Sequence, residues 1–136
     1  MNESVRAALS TDLETLVEFA TQAVAEQDEN RGGYIWSRRE TRNSPYFASF
    51  EATLHDPDQI IWMGMIDEVP VGYAVSKVEL LRNGEILGQV SDIWVEPQAR
   101  SVGVGEALIE AIISWCTERN CVGIDSMALP GNRATK

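Results

Sequence analysis

The sequence predicts an α/β chain built on one mixed (α+β) sheet, an antiparallel meander followed by a strand, a glycine turn, a helix and one more strand. Three observations predict it. From Gln59 to Val95, three apolar, β-rich runs are separated by short turn signals. The last run stops at Pro97, and Arg100, Gly103 and Gly105 lead at once into a helical pattern. The whole is 136 residues long, 44% of them hydrophobic and 24% charged, which suits a single soluble domain over residues 1–136 with a core of its own.

The elements follow in order. Val5 to Leu9 reads as a short first strand. Ser10-Thr11-Asp12 offers caps, and Leu13, Leu16, Val17, Ala20, Ala23 and Val24 recur at helical spacing, so a helix is expected over about residues 11–27. Gln27 to Gly33 is polar and reads as a loop. Tyr46, Phe47, Phe50 and Leu54 predict a second helix that breaks or starts near Pro45. Gln59 to Ile66 is a strand, Asp67-Glu68-Val69-Pro70 a turn, and Val71 to Leu81 a strand with Val71, Tyr73 and Val75 alternating against Gly72, Ala74 and Ser76. Arg82-Asn83-Gly84-Glu85 carries Asn-Gly, the strongest short hairpin signal. Ile86 to Val95 is the next strand. From Val104 the residues Ala107, Leu108, Ala111, Ile112 and Trp115 form one apolar helix face ending near Asn120. Val122 to Leu129 reads as a strand, and Asn132 as the cap of a further helix.

Composition excludes several functions. A net charge of −10 argues against nucleic acid, whose phosphates demand Lys and Arg. No apolar run approaches the ~18 residues of a transmembrane helix, and the N-terminal residues lack a signal peptide, so a cytoplasmic protein is expected. Cys116 and Cys121 lack metal-site spacing and read as reduced thiols, and no metal site is expected. His55 is the only histidine and has no nucleophile-elbow motif beside it; a surface or helix-end position fits it better than a catalytic triad.

The turn from Arg100 to Gly105 is where the chemistry concentrates. A glycine turn opening a helix points several backbone N–H groups at one spot, where the helix dipole also favours negative charge. A dinucleotide fingerprint is disfavoured on two counts. The turn follows an antiparallel meander instead of opening a βαβ unit, and Leu108 stands where the third glycine would be.

The residues Arg100-Ser101-Val102-Gly103-Val104-Gly105 match R-x-x-G-x-G, preceded by Asp92-Ile93-Trp94-Val95-Glu96-Pro97 and followed by Ala107-Leu108. This stretch resembles the acetyl-CoA signature of the GCN5-related N-acetyltransferase (GNAT) superfamily, and Asn132 and Ala134 resemble the opening of that family's fourth helix. The fold implied is acyl-CoA N-acyltransferase-like. The resemblance implies that the N–H groups from Arg100, Ser101, Val102, Gly103, Val104, Gly105 and Glu106 cradle the CoA pyrophosphate. It also implies that the pantetheine arm runs beside Ile93, Trp94 and Val95 and that Asn132 belongs to the cofactor site. Ser101 and Val102 depart from the Gly and basic residue frequent there, which predicts weaker binding.

The same resemblance implies an acetyl-CoA-dependent N-acetyltransferase acting on the primary amine of a small molecule or peptide. Asp92 is the candidate base by position and Glu79 the second. Tyr34 and Trp36 are candidates for an aromatic wall at the acceptor pocket. The family normally continues with a helix and strands beyond this point. The chain therefore reads as C-terminally truncated, with a homodimer expected to cover the last strand. The competing expectation is a catalytically inactive acyl-CoA-binding module.

Overall fold

The structure, a computed structural model, describes residues 2–28 and 45–126. The elements are β1 (Glu3–Ala7), α1 (Leu13–Asp28), α2 (Tyr46–Leu54), β2 (Gln59–Ile66), β3 (Val69–Leu80), β4 (Ile86–Val95), α3 (Val104–Glu118) and β5 (Cys121–Ser126), with short 3-10 turns at Ser10–Asp12 and Pro97–Val102. The sheet runs in the order β1-β2-β3-β4-β5. Neighbours are antiparallel as far as β4, and β5 lies parallel to β4, joined through α3. No helix among the described residues is long and apolar enough to cross a membrane.

Each face of the sheet carries its own core. Leu16 and Phe19 of α1 and Phe50 of α2 pack on Ile61, Met63, Tyr73, Val75 and Trp94. On the other face Val104, Leu108, Ile112 and Trp115 of α3 pack on Val71, Ala74, Val90 and Val95. Each large side chain so buried contributes roughly 1.5–3 kcal/mol, so the sheet is a rigid floor fixed from both sides.

Local chemistry explains the boundaries. The first strand ends at Ala7 rather than Leu9 because the Leu9 backbone is engaged elsewhere. Its N–H donates to Asp12 Oδ2 at 2.7 Å and its carbonyl accepts from Asp12 N–H at 2.9 Å, while its side chain is exposed. Pro45 caps α2, as its fixed φ allows. The turn between β2 and β3 is only Asp67-Glu68, both at positive φ (48° and 70°), so Val69 and Pro70 belong to β3. Pro70 is tolerated in this internal strand because it sits beside a bulge between Gly64 and Met65. That bulge also overturns the simple alternation expected of β3: Val71 faces α3 while Tyr73 and Val75 face α1. The Asn83-Gly84 hairpin forms as the sequence predicts, with Gly84 at φ 86° and Leu81 N–H donating to the Glu85 carbonyl at 2.7 Å. β5 begins at Cys121, one residue early. The expected end of that strand at Leu129 and the helix opening at Asn132 lie outside the described residues.

Candidate active site

The site is built on the second half of β4. Val75 is opposite Asp92 and Ser76 is opposite Val90, so Ser91 is an extra residue on β4. Its consequence is visible in the cores. Val90 and Trp94 would share a face in a regular strand, yet Val90 packs under α3 and Trp94 under α1. Asp92 is thereby turned toward the α1 side. Tyr73 Oη donates to Asp92 Oδ2 at 3.3 Å and Ser91 Oγ to Oδ1 at 2.8 Å. Tyr73 is itself held between aromatic rings, 6.3 Å from Phe19 and 5.5 Å from Phe50.

The bulge also marks where two strands part. β5 pairs with β4 only over Ile86–Val90. Beyond Val90 no described strand covers that edge. Glu96 N–H donates to the Val71 carbonyl at 2.8 Å. In an antiparallel ladder alternate residues turn their peptide groups to the neighbour. Those of Trp94 therefore face β3, and those of Ile93 and Val95 face the open edge.

At the end of this edge the 3-10 turn Pro97–Val102 leads to Gly103, which takes the left-handed conformation (φ 91°, ψ 5°) and serves as N-cap of α3. Gly103 has no side chain to cap the helix. Ala107 N–H is the first to be bonded back, to the Gly103 carbonyl at 3.0 Å, so the N–H groups of Val104, Gly105 and Glu106 have no acceptor within the helix. A Cβ on Gly105 would come no nearer than 4.0 Å to Val95. Among the described residues packing does not demand glycine there, and no other atom of theirs comes within that distance.

Arg100 turns toward β4 and α1. Its Nε donates to the Val95 carbonyl at 2.7 Å, and its guanidinium pairs with Glu26 of α1 at 2.7 Å. The same Glu26 oxygen accepts from the Trp94 indole N–H at 3.2 Å, and the guanidinium carbon lies 5.9 Å from the centre of that ring. The Arg100 hydrogen bond, reinforced by the indole N–H, holds the Glu26 carboxyl below its ordinary range against the opposing effect of burial.

The structure brings Asp92, Ile93, Trp94, Val95, Arg100 and the residues from Ser101 to Glu106 to one end of the sheet. Trp94 contributes a buried side chain rather than an open peptide edge. Glu79 stands apart. It pairs with Leu87, four residues along β3 from the partner of Asp92, about 13 Å away at strand rise. It accepts from Gln89 Nε2 at 2.8 Å. Tyr34, Trp36 and Asn132 lie outside the described residues. His55 ends α2, exposed, with Nδ1 2.9 Å from the Glu51 carbonyl oxygen. Cys116 and Cys121 are free thiols, and burial, helped by the neighbouring Cys121, pushes Cys116 up to about 11. Glu26 and Tyr73 are the additions that sequence reasoning missed. Neither lies in the motif, and each reaches it only through the fold.

Comparison with known proteins agrees with this geometry. The model of the acetyltransferase (GNAT) family matches residues 16–135. No curated protein sequence matches the chain. Among solved structures, an integron cassette protein from the mobile metagenome of Cole Harbour Salt Marsh is 23% identical, with a TM-score of 0.77 over 97% of this chain and 80% of its own. The ribosomal-protein-alanine N-acetyltransferase of Brucella melitensis biovar Abortus is 19% identical, with a TM-score of 0.72 over 99% and 88%. A predicted acetyltransferase of Clostridium acetobutylicum, solved with acetyl-CoA, is 14% identical, with a TM-score of 0.72 over 98% and 85%. At these identities the likeness speaks for the fold; the family model, spanning the glycine turn and nearly the whole sheet, speaks for descent. The chain belongs to the acetyltransferase (GNAT) family.

Proposed function

We propose that the chain transfers the acetyl group of acetyl-CoA to the primary amine of a small molecule or peptide. One observation carries this reading: an edge of β4, Ile93 to Val95, that no described strand covers leads through the Pro97–Val102 turn to a helix N-terminus carrying Gly103 and Gly105, where among the described residues a Cβ at either glycine would meet only Glu3 or Val95, at 3.6 and 4.0 Å. An elongated ligand that is amide-bearing along one part and anionic at the other fits both halves. Acetyl-CoA, when bound, supplies the activated acyl group. The N–H groups of Val104, Gly105 and Glu106 would hold its pyrophosphate. The peptide groups of Ile93 and the N–H of Val95, whose carbonyl is taken by Arg100, would pair with its amide-bearing arm, and an N–H there would polarise the thioester carbonyl.

An amine attacks only when neutral. Asp92, which accepts hydrogen bonds from Tyr73 and Ser91, would accept its proton, directly or through water. Glu79 is too distant to share that task. The neighbour named for a ribosomal-protein alanine substrate supports an amine acceptor in this family. The whole of residues 1–136 is read as one domain, acting in the cytoplasm.

Calorimetric titration with acetyl-CoA tests the cofactor half. Gly103→Val should abolish binding, because a β-branched residue at φ 91° costs of order 1–3 kcal/mol and reshapes the cap. A folded variant, checked by its thermal transition, that still binds would move the site elsewhere. Release of free CoA thiol across an amine panel tests the acceptor half. The alternative, an inactive acyl-CoA-binding module, would share the cofactor site. It predicts acetyl-CoA binding with no thiol release for any amine.

A further inference from the structure

Glu26 stands one helix away from the motif and yet touches two of its residues. It lies near the end of α1, two residues before Asp28, the last of the helix. One of its oxygens accepts both the Arg100 guanidinium at 2.7 Å and the Trp94 indole at 3.2 Å. Arg100 in turn donates through Nε to the Val95 carbonyl at 2.7 Å. That carbonyl belongs to the open edge of β4. The chain of contacts therefore runs from α1, through a bridging guanidinium, to the peptide that flanks the proposed cofactor groove.

We propose that Glu26 is a positioning residue for the acyl-CoA site: it anchors Arg100, which holds the Val95 peptide at the open edge of β4. The role presupposes the acetyl-CoA reading given above. A planar guanidinium reaches two acceptors from separate nitrogens in a fixed fork, a geometry that the single nitrogen of an ammonium does not reproduce. With Glu26 in place, Arg100 is pinned at both ends, and the Val95 peptide and the start of the glycine turn are held in one orientation before ligand arrives. Without it, Arg100 keeps one anchor, the Trp94 N–H loses its acceptor, and the edge must be ordered on binding.

Calorimetric titration of acetyl-CoA into the wild-type chain, Glu26→Gln, Glu26→Asp, Arg100→Lys and the Glu26→Gln/Arg100→Lys double variant tests the idea. Glu26→Gln should raise Kd by about five- to tenfold, the loss expected for one charge-assisted hydrogen bond at a partly exposed site. Glu26→Asp should recover part of it. The double variant should bind no worse than Arg100→Lys alone, since both changes break one path. In steady state, KM for acetyl-CoA should rise while KM for the acceptor stays, which a merely structural loss would not do.

Unchanged or tighter binding by Glu26→Gln overturns the proposal, as does full additivity in the double variant. If Glu26→Gln fails to fold, Arg100→Lys with unchanged affinity overturns it equally. Absence of binding by the wild-type chain overturns the acetyl-CoA reading itself and this role with it, whereas a variant effect can fail while wild-type binding stands.

Discussion

Asp12 does three jobs with one carboxylate. It accepts from Arg6 Nη1 at 2.8 Å and Nη2 at 3.0 Å, and from the Leu9 N–H at 2.7 Å, with only 9% of its side chain exposed. That set ties β1 to the turn that launches α1. The fork geometry of the guanidinium makes the pair specific as well as attractive. Asp12→Asn should lower stability by about 2 kcal/mol, less than for a fully buried pair because Arg6 is 41% exposed. The sign of its pH dependence follows from linkage. The Arg6 hydrogen bonds hold the Asp12 carboxyl below its ordinary value of 3.8. Its contribution is therefore present above that value and is lost as pH falls through the lower, folded one. Urea denaturation across pH 2.5–7 is the check: the gap between wild type and variant should be constant at neutral pH and close on the acid side. A gap that persists at the acid end would place the effect in packing rather than charge.

Among the elements, α3 decides where the glycine turn lies relative to the β4 edge, and its seat is tight. A Cβ on Gly64 of β2 would stand 2.6 Å from Val104 Cγ1 and 3.3 Å from Leu108 Cδ1. Val104 is the first residue of the helix and fully buried. Gly64→Ala should push the helix start away from the sheet, costing roughly 1–3 kcal/mol and weakening acetyl-CoA binding in the same variant. Thermal denaturation and calorimetry read the two effects, and an alanine accommodated without loss of either would show the seat to be slack. Gly64 carried no such meaning in the sequence, where it was one small residue in an apolar run. What was legible there was local: the Asn83-Gly84 hairpin, the helical face from Leu108 to Trp115 and the Arg100–Gly105 turn all have short-range signatures. The bulge at Ser91 has none, so the faces of Val90, Asp92 and Trp94 could not be read from alternation. The Glu26–Arg100 pair spans 74 positions, and no periodicity links them. The motif therefore pointed to the candidate site, while the fold alone supplied the contacts around it.

Taken as a whole, the molecule sets an acidic chain against the anionic co-substrate proposed for it. It carries 21 Asp and Glu against 11 Lys and Arg. At the described turn the cation that the motif supplies is engaged with Glu26 and Val95, and Ser101 and Val102 add none. On the proposed reading, binding of the pyrophosphate would rest on backbone N–H groups and the helix dipole, which act at short range. The net charge acts at longer range and opposes approach. Salt separates the two, because the screening length falls from ~30 Å at 0.01 M to ~8 Å at 0.15 M. Acetyl-CoA affinity should thus hold level or rise as NaCl goes from 10 to 150 mM, on the order of twofold. A site built on lysines and arginines would show a steep fall. A cationic amine acceptor should behave oppositely, its KM rising with salt as attraction to the acidic chain is screened. Calorimetry at several salt concentrations measures the first trend and initial rates at saturating acetyl-CoA the second. A parallel weakening of both ligands would show that basic residues outside the described turn reach the phosphates, and would return the electrostatics of cofactor binding to side chains rather than backbone.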